Sequence, residues 1–137
     1  MDANIFVYAF YKPRKTLSKE AITRKENAQR VVAEINSGKL NVITSVVHLA
    51  ETANILKHGL SIRETNILLA TLMSLKNVNV ISVTKEDYEN AISLGALLNL
   101  DPNDALAVYF MRKFGIKEIL SYDKDFDKVK DITRVVS

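Results

Sequence analysis

The chain of 137 residues has no cysteine and no tryptophan, and it has only two histidines, two prolines and four glycines. Without cysteine there is no disulfide scaffold, thiolate zinc site, iron–sulfur cluster or cysteine nucleophile, which fits a reducing compartment. With two histidines, a histidine-rich metal site is a poor candidate. The glycines are isolated, so a glycine-rich phosphate loop is missing as well. Carboxylates and basic side chains remain as the main candidates for chemistry.

Long apolar runs are also missing, and no stretch is long enough to span a bilayer. The apolar segment 5–10 follows Asp2 and has no basic residue before it, unlike a signal peptide. The sequence therefore predicts a cytoplasmic protein without a membrane partner. Its apolar share of 47% and charged share of 26% are ordinary for a globular protein, and its length predicts one domain, residues 1–137.

Charge is nearly balanced, with a formal net charge of +3, but it is unevenly placed along the chain. An early basic segment, residues 12–30, contains Lys12, Arg14, Lys15, Lys19, Arg24, Lys25 and Arg30. The last third of the chain contains Asp101, Asp104, Asp123, Asp125, Asp127 and Asp131. Two solvated surfaces are the simplest interpretation, and a basic surface for an anionic partner beside an acidic site is the alternative.

Helices and strands alternate in the predicted element order. Apolar residues recur at helical spacing in segments 17–35, 46–56, 61–75, 84–98 and 102–114. Four of these helices begin with a capping signal, at Ser45, at Ser61 with Glu64, at Thr84 with Asp87, and at Asp101 with Pro102. Short β-branched or apolar segments predict strands over 40–44, 78–83, 118–122 and 132–136. This alternation predicts an α/β fold, a small parallel sheet flanked by helices.

Acidic residues recur near the carboxyl ends of the predicted strands, where open parallel sheets form their sites. Glu51 lies within two turns of the strand 40–44, and Asp123 directly follows the strand 118–122. The full set is Asp2, Glu51, Asp104, Asp123 and Asp125. Each acid has an ordinary explanation when it is taken singly: a solvated side chain, a first-turn helix acid or a turn residue. Their joint placement favours a functional site.

Several carboxylates in one cleft repel one another and raise one another's pKa unless a cation enters. Hard oxygen ligands without cysteine suit Mg²⁺ or Mn²⁺. Such an ion can generate a hydroxide nucleophile and stabilise the oxygens of a phosphodiester during in-line attack. The basic segment 12–30 would then hold the backbone of a nucleic acid.

Four segments, in this order, resemble the motifs of PIN-domain proteins, in particular the small VapC-type ribonuclease toxins. They are residues 2–6 (DANIF), 45–51 (SVVHLAE), 103–107 (NDALA) and 121–126 (SYDKDF), and together they span nearly the whole chain. The resemblance implies a single PIN-like domain and a metal-dependent endoribonuclease that leaves a 5′ phosphate and a 3′ hydroxyl. It also implies a homodimer and a VapB-like antitoxin as partner.

The resemblance further implies roles for individual residues. The acidic quartet of catalytic residues and metal ligands would be Asp2, Glu51, Asp104 and Asp123, with Asp125 as the more variable additional ligand. Asn4 and Ser121 match polar positions that support the site. Family members place a strand before the first aspartate, whereas only Met1 precedes Asp2 here. Either the start is truncated relative to relatives or residues 1–2 pair minimally with the sheet; the family pattern then makes 4–10 a helix, although its composition favours a strand.

Two other interpretations stay open. One is a PIN-like module that binds RNA or a protein without cutting. The other is a phospho-acceptor receiver domain, which requires an acceptor aspartate after a middle strand and a late lysine after another, and neither pattern is clear here. His48 and His58 are expected at the surface or edge of their helix rather than on a metal.

The helices between residues 45 and 76 carry more apolar surface than one small sheet can cover. The residues concerned are Ile62, Ile67, Leu68, Leu69, Leu72, Met73 and Leu75. An apolar excess of this kind marks an interface, so the sequence predicts a homodimer through these helices. The alternative is that all of these side chains pack against the sheet.

Overall fold

In the computed structural model, residues 19–135 are described. Helices and strands alternate along this part of the chain, as predicted. The elements are α1 (Lys19–Asn36), β1 (Val42–Ser45), α2 (Val46–Leu56), α3 (Ile62–Ser74), β2 (Val78–Ile81), α4 (Lys85–Leu98), α5 (Pro102–Phe114), β3 (Glu118–Leu120), a 3₁₀ helix (Lys124–Lys128) and β4 (Thr133–Val135). The predictions for Asp2, Asn4, Lys12, Arg14, Lys15 and the segment 4–10 lie outside the described residues.

The strands pair in parallel, which confirms the predicted α/β class. β1 pairs with β2, where Val42 lies opposite Val78, and β3 pairs with β4, where Glu118 lies opposite Thr133. Within residues 19–135 these are two separate ladders of two strands each rather than the one sheet that was predicted. Both ladders join strands through a helical crossover, as parallel pairing requires.

All four predicted helix caps are present. Ser45 accepts the backbone N–H of His48, and Asp101 accepts that of Asp104 with Pro102 at the start of α5. The Ser61–Glu64 and Thr84–Asp87 pairs both form complete capping boxes. These bonds satisfy N–H groups that a helix start leaves without a partner. The starts of α2, α3, α4 and α5 therefore follow local sequence chemistry.

Asp87 also ties α4 to α5. Its Oδ1 accepts a hydrogen bond from the Tyr109 hydroxyl at 2.9 Å, and Lys113 Nζ lies 3.8 Å away. The pKa of the Asp87 carboxyl is held below its usual value, first by the backbone N–H of Thr84 and then by the Tyr109 hydroxyl. This contact lies on the helix pair that carries part of the acidic site.

Buried apolar residues form three clusters. The first lies among α1, α2, α3 and the β1–β2 ladder and contains Val32, Ile35, Val42, Leu49, Leu72 and Val78. The second joins α5 to β3, the 3₁₀ helix and the segment before β4, and contains Leu100, Ala105, Val108, Met111, Ile119, Phe126, Val129 and Ile132. The third joins α4 to α5 through Ala91, Leu106 and Phe110. Because α5 is buried on both sides, its first turn is held in a fixed position.

Gly95 lies where α4 meets the start of α5, and its role was not visible in the sequence. A Cβ on Gly95 would lie 2.7 Å from the Leu100 carbonyl oxygen and 3.3 Å from the Ala105 Cβ. We expect Gly95→Ala to lower the free energy of unfolding by about 1–3 kcal/mol through overpacking, although alanine is the better helix former by about 1 kcal/mol. Denaturant unfolding measures this change.

The matched control is Ser93→Ala, at an exposed position of the same helix, which should change stability by no more than about 0.5 kcal/mol. Equal or higher stability of Gly95→Ala would contradict the close approach of α4 to α5.

Within residues 19–135, every helix is too short or too polar to cross a membrane.

Candidate metal centre

Three of the predicted acids come together in the fold. One carboxylate oxygen from each of Asp104, Asp123 and Asp125 lies within 4.8 Å of the other two. Asp104 is buried, Asp123 is half-buried and Asp125 is exposed, so the cluster opens toward solvent on one side. Ligand oxygens around an octahedral Mg²⁺ lie about 3–4 Å apart. The spacing and chemistry of this acidic cluster therefore fit a divalent cation.

Asp104 is placed by the start of α5. Asp101 already caps this helix, since its Oδ1 accepts the Asp104 backbone N–H at 2.8 Å. The carboxylate of Asp104 is thus not the cap, although it lies in the first turn, where the helix dipole favours negative charge. Ala105 and Val108 are fully buried and hold this turn against the second core cluster.

Asp123 and Asp125 are placed by the turn after β3. The buried Ser121 hydroxyl accepts the Asp123 backbone N–H at 2.9 Å, and Asp123 Oδ1 accepts the Asp125 backbone N–H at 2.9 Å. These backbone N–H groups bond side chains instead of a neighbouring strand. For this reason β3 ends at Leu120 and not at residue 122, where the sequence predicted its end. Asp123 is therefore both a turn residue and a member of the acidic cluster, and Ser121 supports its backbone.

A lysine lies at the exposed side of the cluster. Lys128 Nζ lies 3.5 Å from Asp125 Oδ1, and it also donates a hydrogen bond to the Asn99 carbonyl at 3.2 Å. Both side chains of this ion pair are about half exposed, so the pair contributes little to stability. Asp125 therefore shares its carboxylate between the acidic cluster and Lys128.

Glu51 lies outside the group of three acids. It is half-buried on α2, and its Oε2 accepts a hydrogen bond from Asn103 Nδ2 at 2.6 Å. Asn103 directly precedes Asp104, so this bond holds Glu51 beside the start of α5. Of the predicted quartet, Asp104 and Asp123 are thus clustered, Glu51 is attached through Asn103, and Asp2 lies outside the described residues.

The surface position predicted for His48 is wrong. His48 is only 4% exposed, and its two ring nitrogens lie 2.7 Å from Ser45 Oγ and 3.0 Å from the Asn103 carbonyl oxygen. A carbonyl oxygen only accepts, so Nε2 carries the proton in the bond to Asn103. These two hydrogen bonds compensate the loss of hydration when the ring is buried. His58, by contrast, is exposed, as predicted.

Sequence reasoning also missed Tyr88. Its hydroxyl lies 2.7 Å from Asn103 Oδ1 and joins α4 to the start of α5. The two residues are 15 positions apart on different helices, so neither spacing nor periodicity connects them. Asn103 itself was visible only as part of the motif at 103–107.

A groove of about 480 Å³ runs beside Glu51. Its lining residues are Val47, Ala50, Glu51, Asn54, Val83, Thr84, Lys85, Tyr88 and Asn103. The groove thus combines an apolar floor, amide and hydroxyl groups, and one lysine, all next to a candidate catalytic acid. Its volume is within the range of small-molecule sites, which is about 300–1,000 Å³.

Comparisons with known proteins agree with this architecture. The crystal structure of Mycobacterium tuberculosis VapC20, a toxin that cleaves the sarcin-ricin loop, has a similar fold, with a TM-score of 0.69. The two chains are 24% identical, and the similarity covers 96% of this chain and 94% of the VapC20 chain. Among curated protein sequences there is no match. The family model of the PIN domain matches residues 1–132. This match covers nearly the whole sequence, and the chain belongs to the PIN domain family.

Proposed function

We propose that this protein is a divalent-metal-dependent endoribonuclease that hydrolyses phosphodiester bonds of RNA. The observation that carries the proposal is the cluster of Asp104, Asp123 and Asp125 carboxylates within 4.8 Å of one another. Membership of the PIN family supports it, and so does the similarity of fold to VapC20, a toxin that cleaves the sarcin-ricin loop. Asp2 and Glu51 complete the proposed set of acids.

In this proposal, Asp104, Asp123 and Asp125 would hold Mg²⁺ or Mn²⁺, which would lower the pKa of water and supply positive charge beside the scissile phosphate. The chain itself contributes orientation. Asp104 is fixed by the buried first turn of α5, and Asp123 by the Ser121 hydroxyl. Glu51 has Oε2 bound to Asn103, and its Oε1 would accept a proton or contact the ion.

The RNA chain would pass the acidic cluster and enter the groove beside Glu51. An unpaired nucleotide can use the apolar side chains of Val47 and Val83 for its base, and Lys85 for a phosphate. The basic segment 12–30 is proposed as a further contact to the RNA backbone. Replacement of Lys12, Arg14 and Lys15 by alanine should weaken RNA binding and flatten the salt dependence of binding. An unchanged salt dependence would assign the segment to antitoxin contact or to solubility instead.

We also propose the biological role of a toxin in a toxin–antitoxin pair, with a VapB-like antitoxin and a cytoplasmic location. The relation of fold to VapC20 supports this role. A small antitoxin reading frame beside the gene is the cheapest observation that would support it, and its absence would speak against it.

A homodimer through α3 is a further part of the proposal. Leu72 packs in the core and Leu68, Leu69 and Leu75 pack against it, whereas Ile62, Ile67 and Met73 are 79%, 56% and 57% exposed. Ile62 and Met73 are eleven residues apart and project from the same face of α3. We expect sedimentation at micromolar concentration to show a species of twice 15.4 kDa. A species of 15.4 kDa alone would contradict the dimer.

The metal dependence is tested with the full chain and a structured RNA. We expect cleavage in Mn²⁺ or Mg²⁺ and complete loss in EDTA, with recovery after the ion is added back. Cleavage products should carry 5′ phosphates. Cleavage that continues undiminished in EDTA would overturn metal dependence, and no cleavage of any RNA under any of these conditions would overturn the nuclease.

The position of Glu51 outside the group of three acids favours one alternative, a PIN-like module that binds RNA or a protein without cutting. The same experiment separates the two functions. A binding module would shift RNA mobility in a gel at an unchanged RNA length, with or without Mn²⁺.

A further inference from the structure

We propose that Asn103 is a positioning residue for Glu51, and that the Tyr88 hydroxyl holds the Asn103 amide in place. This inference rests on the proposed metal-dependent nuclease. It adds two residues that act on turnover through Glu51, and both also line the groove beside it. The four groups that carry it come from three helices or their starts: Glu51 and His48 on α2, Tyr88 on α4 and Asn103 on α5.

The hydrogen-bond pattern determines the orientation of the Asn103 side chain. A carboxylate only accepts hydrogen bonds, so the amide NH₂ of Asn103 must face Glu51 Oε2, 2.6 Å away. The amide oxygen then faces Tyr88, and the Tyr88 hydroxyl donates to it at 2.7 Å. A flipped amide would place its carbonyl oxygen against the Glu51 carboxylate, and the hydrogen bond between Asn103 and Glu51 would be lost. The Glu51 carboxylate therefore selects the amide orientation, and the bond from Tyr88 holds the Asn103 side chain in it.

The backbone of Asn103 also contacts α2, the helix that its side chain contacts through Glu51. His48 Nε2 donates to the Asn103 carbonyl oxygen at 3.0 Å, and the other ring nitrogen of His48 lies 2.7 Å from the Ser45 hydroxyl. His48 and Glu51 are three residues apart and lie on the same face of α2. Asn103 is thus bound at two points by one face of α2, immediately before Asp104.

This double attachment sets the position of Glu51 relative to Asp104. Without the side-chain bond, the glutamate has three free torsions and samples many rotamers. Hydrogen-bond partners that orient metal or catalytic ligands change metal affinity or activity by about 10–100-fold when they are removed. We therefore expect the loss of Asn103 or Tyr88 to lower turnover and Mn²⁺ affinity, with little change in the KM for RNA.

The experiment compares four full-length proteins: the wild type, Asn103→Ala, Tyr88→Phe and the control Tyr109→Phe. Tyr109→Phe removes the same atom from a neighbouring tyrosine whose hydroxyl bonds Asp87 instead. Measured quantities are kcat and KM for RNA, the Mn²⁺ dissociation constant from electron paramagnetic resonance, and the melting temperature without metal.

We expect kcat to fall about 10–100-fold for Asn103→Ala and about fivefold for Tyr88→Phe, the size of one hydrogen bond. Mn²⁺ binding should weaken in the same order, and KM should stay within about twofold. Tyr109→Phe should melt at a lower temperature while kcat and Mn²⁺ affinity stay at wild-type values. A loss of kcat and Mn²⁺ affinity in the Asn103 and Tyr88 variants, but not in Tyr109→Phe, separates positioning from a general loss of stability.

Wild-type kcat and Mn²⁺ affinity in Asn103→Ala would overturn the inference while the proposed nuclease stands. A wild type that binds Mn²⁺ without cleaving RNA would overturn the nuclease, and the Mn²⁺ affinities of the variants would still decide the positioning role. If the wild type neither cleaves RNA nor binds Mn²⁺, both proposals are wrong.

Discussion

Asp104→Asn should reduce Mn²⁺-dependent RNA cleavage by at least about 100-fold. A catalytic metal ion lowers the activation barrier by several kcal/mol, and each 1.36 kcal/mol of barrier changes the rate by a factor of ten. The protein should nevertheless keep its fold. Asp101 caps α5 through its own carboxylate, so asparagine at 104 leaves the capping bond in place. An RNA-cleavage assay and thermal melts with and without Mn²⁺ measure both effects.

The sign of the stability change distinguishes a metal ligand from a structural acid. In the metal-free protein, Asp104 lies within 4.8 Å of two other carboxylates, so removing its charge relieves repulsion and should leave stability unchanged or raise it. A first-turn acid that only interacts with the helix dipole would instead lose about 0.3–1 kcal/mol on substitution. Added Mn²⁺ should raise the melting temperature of the wild type and have a weaker effect on the variant.

Asp101→Asn is the matched control. It makes the same chemical change in the same turn, and asparagine caps a helix as well as aspartate does. This variant should cleave RNA like the wild type. An Asp104→Asn protein that is as active as the wild type, together with a wild type that Mn²⁺ does not stabilise, would contradict the catalytic assignment.

Phe126→Ala should lower the free energy of unfolding by about 3–5 kcal/mol, the typical cost of emptying a buried phenylalanine site. Phe126 is fully buried in the second core cluster and lies between Asp125 and Asp127 in the 3₁₀ helix. Total stability of a domain this size is about 5–15 kcal/mol, so this loss is a large fraction of it. Urea unfolding measures the change.

Phe126 also anchors the turn that carries Asp123 and Asp125. Where enough folded Phe126→Ala protein remains, its Mn²⁺ affinity should fall, because the 3₁₀ helix loses its attachment to α5. Phe114→Ala is the control at a phenylalanine that is 49% exposed, with a ring stacked on Phe110 at 6.0 Å. It should cost about 1 kcal/mol and leave Mn²⁺ binding unchanged. Similar losses of Mn²⁺ affinity in Phe126→Ala and Phe114→Ala would contradict the anchoring role.

Local sequence chemistry alone determined much of the fold. The caps at Ser45, Ser61, Thr84 and Asp101 each involve residues no more than three positions apart, and all four form as predicted. The alternation of helices and strands likewise follows from periodicity, and the parallel pairing follows from the helical crossovers. Asp123 and Asp125 could be nominated because sites form at the ends of parallel strands, and Asp104 because the motif at 103–107 resembles that of PIN-domain proteins; the structure brings these three together.

Only the tertiary structure decided how the site is supported. Gly95 must be small because α4 approaches the start of α5 there, and His48 is buried because Ser45 and the Asn103 carbonyl satisfy its ring. The Glu51–Asn103 bond joins residues 52 positions apart. Sequence periodicity reports which face of an element is apolar, whereas the meeting of two polar side chains from different helices depends on how those helices pack. Asn103, Tyr88 and His48 therefore emerge as supports of Glu51 only when α2, α4 and α5 are in contact, whereas Ser121, which supports Asp123, was visible in its motif.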